Sequence, residues 1–549
     1  MAITKSLICA LGAKADDISM SYHLAMKFLT IYFILMSTII VYRLYFHPLA
    51  GVPGPLLAKI SGWPNWVQAR AGRRHIQMQQ LHDLYGSVVR FAPNAISINT
   101  PAGLKEIYGV KRSNIVKSDW YRCIHYFAGG YQSTLTLIDQ TRHSAKRRLL
   151  SHAFSDSALR GVEQNITSLI HTWIELLGNG VTTDWSAGLD MDMWATCLIY
   201  DILGDLAFGK SFKTMQSEEN RFLLHTIPQA TKTWYSLGYH PMAHLILRLM
   251  FKTPLGTILG GKAFRDDKRF RAFCGQHLKE RREIENSADA LDANQRKKDF
   301  FHYLLRGRDP ETGLGYMKGE LEAETVLLIV AGSESVSVAL AACLFYIGRD
   351  TAVLEKLTTE IRESFSTSDE ILYSNTSFLA LPYLRACIDE AMRMTPPTPG
   401  HLPREVLEDG IAIEGQFYHA GTIVGVSAYA MHHNEAYFPQ SFSFIPERWI
   451  VNPENGVSAE SVALARSAFC PFSAGSRGCI GKQLAYVELS LAIARLLWNF
   501  DIRALPGDTT GAGGPNEVFG RHRAGEYQLE DVFVAKKEGP ILQLKARSS

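Results

Sequence analysis

Near its C-terminus the chain reads FSAGSRGCIG and runs on directly into KQLAYVELSLAIARLL, so that a cysteine in a loop of small residues stands just ahead of a long amphipathic helix. That arrangement restricts the fold more than any other feature. Free backbone N–H groups and the dipole at a helix start favour an anion, so Cys479 is expected to have a lowered thiol pKa. Gly475 and Gly481 are read as removing side chains where the chain turns sharply or approaches a partner closely. Arg477 can neutralise an acidic group of such a partner, and Phe472 can shield the sulfur and keep the dielectric low.

The other cysteines, Cys9, Cys123, Cys197, Cys274, Cys343, Cys387 and Cys470, are widely separated, with no CxxC pair and no metal-type Cys/His spacing. They do not form a disulfide framework, and they point to a reducing, cytosol-facing environment. Cys470 lacks the pattern around Cys479 and reads as a core cysteine. With 46% hydrophobic and 11% aromatic residues and no linker-like tract, the 549 residues suit one large domain over 56–549 with a core wide enough to enclose a sizeable cofactor. A net charge of +3, with basic residues scattered, gives no argument for nucleic-acid binding or for an acidic substrate.

From Leu24 to Tyr42 the sequence LAMKFLTIYFILMSTIIVY is close to the length that spans a bilayer, and a transmembrane anchor is expected over 24–43. A cleaved signal peptide competes with this reading, but no small-residue cleavage site follows. Arg43, Lys59, Arg70, Arg73 and Arg74 outnumber the upstream Lys5 and Lys14, placing the body in the cytosol and residues 1–23 in the lumen. Pro48, Pro53 and Pro55 make a stiff hinge of residues 44–55. Sequons at Asn165 and Asn375 would then face the cytosol and remain unglycosylated.

Apolar spacing predicts helices through Ile166–Leu177, Met191–Phe208, Glu322–Tyr346 and Leu484–Trp498. Strand patterns are short: Ser87–Ile98, Gly410–Tyr418 and Gly539–Leu544. The class is therefore mainly α with small β sheets. The charged run Asp266–Asp299 reads as a solvated helix and loop.

Phe472, Gly475, Arg477, Cys479 and Gly481 together match F-x-x-G-x-R-x-C-x-G, which resembles the haem-binding signature of the cytochrome P-450 family. The resemblance implies haem b as cofactor and Cys479 as axial ligand to its iron. It also gives meaning to three weaker patterns. Glu390 and Arg393 of LRACIDEAMRM, with Arg448 of FIPERW, resemble the family's structural Glu-Arg-Arg cluster. Ala331, Gly332, Ser333, Glu334 and Ser335 stand where the family interrupts a long helix with A-G-x-[DE]-T, which makes Glu334 and Ser335 the catalytic acid-alcohol pair, with Ser in place of the usual Thr. Arg147 and His143 of TRHSAKRR, and Arg404 of HLPREV, occupy propionate-binding places, with Pro399–Leu402 implied to line the substrate cavity.

The cluster Arg142, Lys146 and Arg148 reads either as a docking patch for an acidic reductase or as a solvated face. Variable loops around Lys111–Thr134 and Ser217–Leu247 are expected to shape the pocket. YFHPLAGVPGP, SHAFS and YAMHHNEAYFPQSFSFIPERW are similar to filamentous-fungal microsomal enzymes, including benzoate para-hydroxylases and tailoring enzymes of specialised metabolism. The implied activity inserts one atom of O2 into a hydrophobic small molecule, at the endoplasmic reticulum membrane, with electrons from NADPH through NADPH-cytochrome reductase. A haem-thiolate isomerase or dehydratase, and a membrane-tethered haem sensor without turnover, are the alternatives.

Overall fold

The computed structural model describes residues 23–109, 114–127, 130–252, 261–287, 299–311 and 313–547. The implied lumenal segment therefore lies almost wholly outside the described residues. An apolar helix, α1 (His23–Phe46), leads the chain, and none of its most apolar window is buried. The body is helical. Its site-forming helices are α2 (Arg74–Tyr85), α3 (Gln140–Ala153), α4 (Met191–Phe208), α5 (Phe222–Gly238), α6 (Gly261–Ser287), α7 (Lys318–Arg349), α8 (Pro382–Met394) and α9 (Lys482–Asn499).

Helix α7 is as apolar as a membrane span, but 72% of its apolar window is buried inside the protein, packed along α4 and against α8 and α9. It is the axis of the core: Val338–Ile347 and most of α4 are buried. Strong N-caps set several helix starts. Asp139 accepts from the Arg142 N–H at the head of α3, and Asp190 accepts from the N–H groups of Asp192 and Met193 at the head of α4.

Three small sheets lie beside this mass. The largest has the order β1 (Val88–Ala92), β2 (Ala95–Ile98), β8 (Ile423–Val424), β5 (Arg404–Val406) and β3 (Ile115–Lys117). A second joins β4 (Leu189–Asp190), β10 (Ile541–Ala546) and β9 (Phe500–Ala504), and β6 (Ile411–Ile413) pairs with β7 (Gln416–Tyr418). The Ser87–Ile98 pattern is thus a hairpin, with Val88 opposite Ile98 and Ala92 opposite Ala95.

The run read as solvated is different. Phe270, Cys274 and Leu278 bury one face of α6, and Arg281 is itself buried, paired to Glu285 at 2.8 Å and Asp299 at 2.6 Å. Its high charge reflects internal ion pairing as well as a wet face.

Candidate functional site

The cysteine loop is tied down by its own backbone. The Cys479 N–H donates to the Phe472 carbonyl at 2.9 Å, and Gly478 N–H to the Gly475 carbonyl at 3.0 Å. Gly475 has φ +68°, and a Cβ there would stand 1.8 Å from the carbonyl oxygen of Tyr108, so no other residue fits. Gly481 is different from expectation: it is the N-cap of α9 with φ −83° and ψ 9°, a conformation open to other residues, and a Cβ would be 3.7 Å from Phe154 and 3.9 Å from the Cys479 sulfur. Turning is not its reason. A side chain there would instead occupy space beside the sulfur.

Of the described cysteines only Cys479 is exposed; Cys470 and the rest are buried. The expected lowering of its thiol pKa is also corrected. Desolvation by the surrounding protein raises it, outweighing the Gly481 N–H, Arg147 and Lys482, which pull it down.

Around this loop converge His143 and Arg147 of α3, Arg404 of β5, Arg477, and a residue the sequence reading missed, Lys117 of β3. Burial, then Arg477, Lys117, Arg147 and Arg404, drive the His143 pKa down to about 2. Burial and Arg404 lower Arg477 to about 10, and burial with Arg477, Arg404 and Arg147 lowers Lys117. Neutral acceptors hold some of these groups: Arg477 donates to the carbonyls of Leu137 (2.6 Å) and Ile138 (2.9 Å), and Arg404 to the Tyr121 hydroxyl (3.0 Å). Among the described residues none of these four cations has a carboxylate within salt-bridge distance. Uncompensated buried charge is expensive. A thiol open on one side, a missing side chain beside it and converging cations fit the axial ligand and the two propionates of haem; no cluster of His, Cys, Asp and Glu able to hold a bare metal ion occurs among the described residues.

Helix α7 passes this region without interruption, so the expected small-residue break is absent from its hydrogen-bonding ladder. The Ser335 hydroxyl donates to the Ala331 carbonyl at 2.7 Å instead. Glu334 turns the other way, into the α4 packing, where the Tyr200 hydroxyl donates to its carboxylate. Burial raises the Glu334 pKa to about 7, against Lys537 and Tyr200, which lower it. Lys537 is in turn bonded to Asp192 at 2.5 Å and to the Thr196 hydroxyl at 3.0 Å. Tyr200 carries no signal in the sequence, being one apolar-face position among many in α4.

An apolar cavity opens on α7 at Val326, Val330 and Ala331, and faces Trp120, Tyr235 and Phe533. Both anticipated variable loops contribute. Pro399–Leu402 do not line it, because His401 is drawn into the sheet bridge with Ser427 and the Pro399 carbonyl accepts from Ser427 and Tyr429. Phe533 and its neighbour Val534 enter from the C-terminal loop, which the sequence pattern did not single out.

Glu390 lies wholly buried at the centre of a cluster. Arg393 pairs with it at 2.9 Å and Arg448 at 3.0 Å, and the Trp449 indole and the Ile445 N–H each donate to it at 3.0 Å. Arg393 also donates to the carbonyls of His432, Ser441 and Ser443, joining α8 to the segment that precedes the cysteine loop. Arg142, Lys146 and Arg148 are all engaged in ion pairs within the protein. Arg142 and Lys146 pair with Glu320 at 3.2 and 2.9 Å, and Arg148 pairs with Asp309 and Glu311 at 2.8 Å, so the cluster ties α3 to the start of α7 and its preceding loop.

Comparison with known proteins matches residues 53–521 to the family model described as Cytochrome P450. Cytochrome P450 monooxygenase fscF of Fusarium equiseti is 35% identical, over 92% of this chain and 93% of its own. Cytochrome P450 monooxygenase AKT7 of Alternaria alternata is 34% identical over 93% and 95%, and cytochrome P450 monooxygenase poxM of Penicillium oxalicum is 34% identical over 95% and 94%.

Proposed function

The chain belongs to the cytochrome P450 family, as a monooxygenase, and from that membership we propose that it holds haem b through Cys479 and inserts one oxygen atom into a hydrophobic small molecule of specialised metabolism. The observation that carries the site assignment is the meeting of an exposed Cys479 with cations that have no carboxylate partner. In this reading Cys479 binds the iron as thiolate, and Arg147, Arg404, Arg477 and His143 hold the propionates. Lys117 joins them. Phe472, whose ring packs on Tyr486, shields the sulfur from water.

Bound haem supplies the activation of dioxygen. Protons are the protein's task. Glu334, buried and close to half-protonated near neutral pH, can give and retake a proton, and Ser335 presents a hydroxyl from the same stretch of α7. The apolar cavity excludes water and orients the substrate beside Ala331. Glu390, Arg393 and Arg448 brace the loop and do no chemistry.

Electrons would come from NADPH through a membrane-bound NADPH-cytochrome reductase. Helix α1 would anchor the protein in the endoplasmic reticulum with residues 56–549 in the cytosol and 44–55 as the hinge, a reading supported by its apolar window, none of which is buried. The test is turnover of the full-length protein with reductase in lipid vesicles under isotopically labelled dioxygen. One labelled oxygen per product, dependent on NADPH, is expected. Product formed without NADPH would favour the isomerase reading, and haem binding without any product the sensor.

A further inference from the structure

One stretch of the cavity wall is held by bonds that the chemistry above does not require. Residues 132–138 lie outside every helix and sheet, and cationic side chains from distant elements take up their carbonyls. Lys146 of α3 donates to Gln132 at 2.7 Å, Lys117 of β3 to Thr134 at 3.3 Å and also to Leu135, and Arg477 to Leu137 at 2.6 Å and Ile138 at 2.9 Å. Lys117 and Arg477 are two of the cations assigned above to the propionates. The opposite polarity is met from α7. One carboxylate oxygen of Glu324 accepts from the Thr134 N–H at 2.6 Å and from the Thr134 hydroxyl at 2.7 Å. Between these anchors the Ser133 carbonyl accepts from the N–H groups of Thr136 and Leu137, each at 3.0 Å, which closes a tight turn.

Ser133, Leu135 and Thr136 of this stretch line the cavity, and α7 lines it with Ala323, Val326 and Leu327, on either side of Glu324 in sequence. Glu324 itself is completely buried, and its second carboxylate oxygen makes no hydrogen bond among the described residues. Burial pushes its pKa up to about 7, against Lys146 and the two Thr134 donors, with Glu320 adding to the rise. An acid so placed is costly where an apolar side chain would pack. Ion pairing does not account for it either, because Lys146 pairs with Glu320 at 2.9 Å. What the carboxylate does is take both donors of one residue in the wall. Hydrogen bonds to a charged acceptor are stronger than neutral ones, and an irregular segment depends on such bonds for a fixed position.

Resting on the monooxygenase reading above, we propose that Glu324 is a specificity-determining positioning residue: by clamping Thr134 to α7 it fixes Ser133, Leu135 and Thr136 as a rigid wall of the cavity, which then discriminates between substrates by shape. Glu324 is absent from the cavity lining and acts only through Thr134. Because Lys117 and Arg477 hold the carbonyl side of the same stretch, the wall is braced from α7 and from the propionate cations together.

The test uses the haem-loaded full chain and two rigid hydrocarbons of one formula and different shape, cis-decalin and trans-decalin. Dissociation constants are measured by calorimetry and by the spin-state change in the haem spectrum, and backbone amide exchange over residues 132–138 by mass spectrometry. The wild type is expected to favour one isomer by about tenfold. Thr134→Val, which keeps the side-chain shape and removes one of the two bonds, is expected to reduce that ratio. Glu324→Leu is expected to bring it close to one and to speed amide exchange in the segment by about tenfold or more. An acid with a merely structural role would weaken both isomers together or neither, leaving the ratio intact. A wild-type ratio near one, an undiminished ratio in either variant, or unchanged exchange in Glu324→Leu overturns the clamp; if Glu324→Leu does not fold, Thr134→Val decides. A thiolate-type carbon monoxide band in the same preparations separates the two readings: its absence from the wild type counts against the haem site, and its presence with an undiminished ratio in the variants counts against the clamp alone.

Discussion

Glu390 makes more polar contacts than any other acid near the cysteine loop, and its surroundings leave it no alternative to being charged. Burial works to raise its pKa, yet Arg393 and Arg448 hold the carboxyl below its ordinary value. Removing one partner of a buried pair strands the other charge, at about 3–5 kcal/mol. Glu390→Ala is therefore expected to lose several degrees to tens of degrees of thermal stability and to fail to retain haem, as read by calorimetry and by absorbance. Gly475→Ala meets the Tyr108 carbonyl directly and is expected to lose haem while the helices persist in circular dichroism. Single residues were the most legible part of the site in the sequence. Cys479 with Arg477, and Glu390 with Arg393, have fixed spacing within a loop or a helix turn. Lys117 and Tyr200 act across the fold from positions whose neighbours in sequence give no hint.

Helix α7 places two groups with different tasks on adjacent residues. Successive positions on a helix point about 100° apart, so Glu334 enters the α4 packing while Ser335 stays half-exposed. Because the Glu334 pKa rises from 4.5 to about 7, the native protein binds more protons than the unfolded chain between those values. Stability falls across that window as pH increases and is level above it. An infrared difference spectrum between wild type and Glu334→Gln is expected to show a protonated carboxyl band that titrates away near 7. Tyr200→Phe is expected to move that titration upward, since the Tyr200 hydroxyl stabilises the carboxylate. Ser335→Ala, which removes the hydroxyl bonded to Ala331, is expected to lower product formed per NADPH by about tenfold or more, read by comparing NADPH and product. Element type and position follow the apolar periodicity well for α4, α7 and α9. The uninterrupted α7 and the half-buried α6 do not, because local composition is silent about which neighbour receives a polar side chain.

Across the whole molecule, the apolar surface divides into a buried core around α7 and the exposed α1. Deleting residues 1–46 is expected to shift the protein from the membrane to the soluble fraction on centrifugation, without changing its haem spectrum, since α1 lies outside the core. The mainly α architecture and its small sheets were legible from period and turn residues. The cavity was legible only in outline, because its wall is assembled from α5, α7, the segment around Trp120 and the C-terminal loop, and contacts of that range leave no periodic trace. The central claim is that the exposed Cys479 is the haem ligand, and it is tested most directly by the absorption spectrum of the reduced, carbon monoxide-bound protein beside that of Cys479→Ser. A thiolate-type band in the wild type that disappears in Cys479→Ser is the expected result; a folded, haem-containing wild type without that band, or a variant that retains it, would contradict the account.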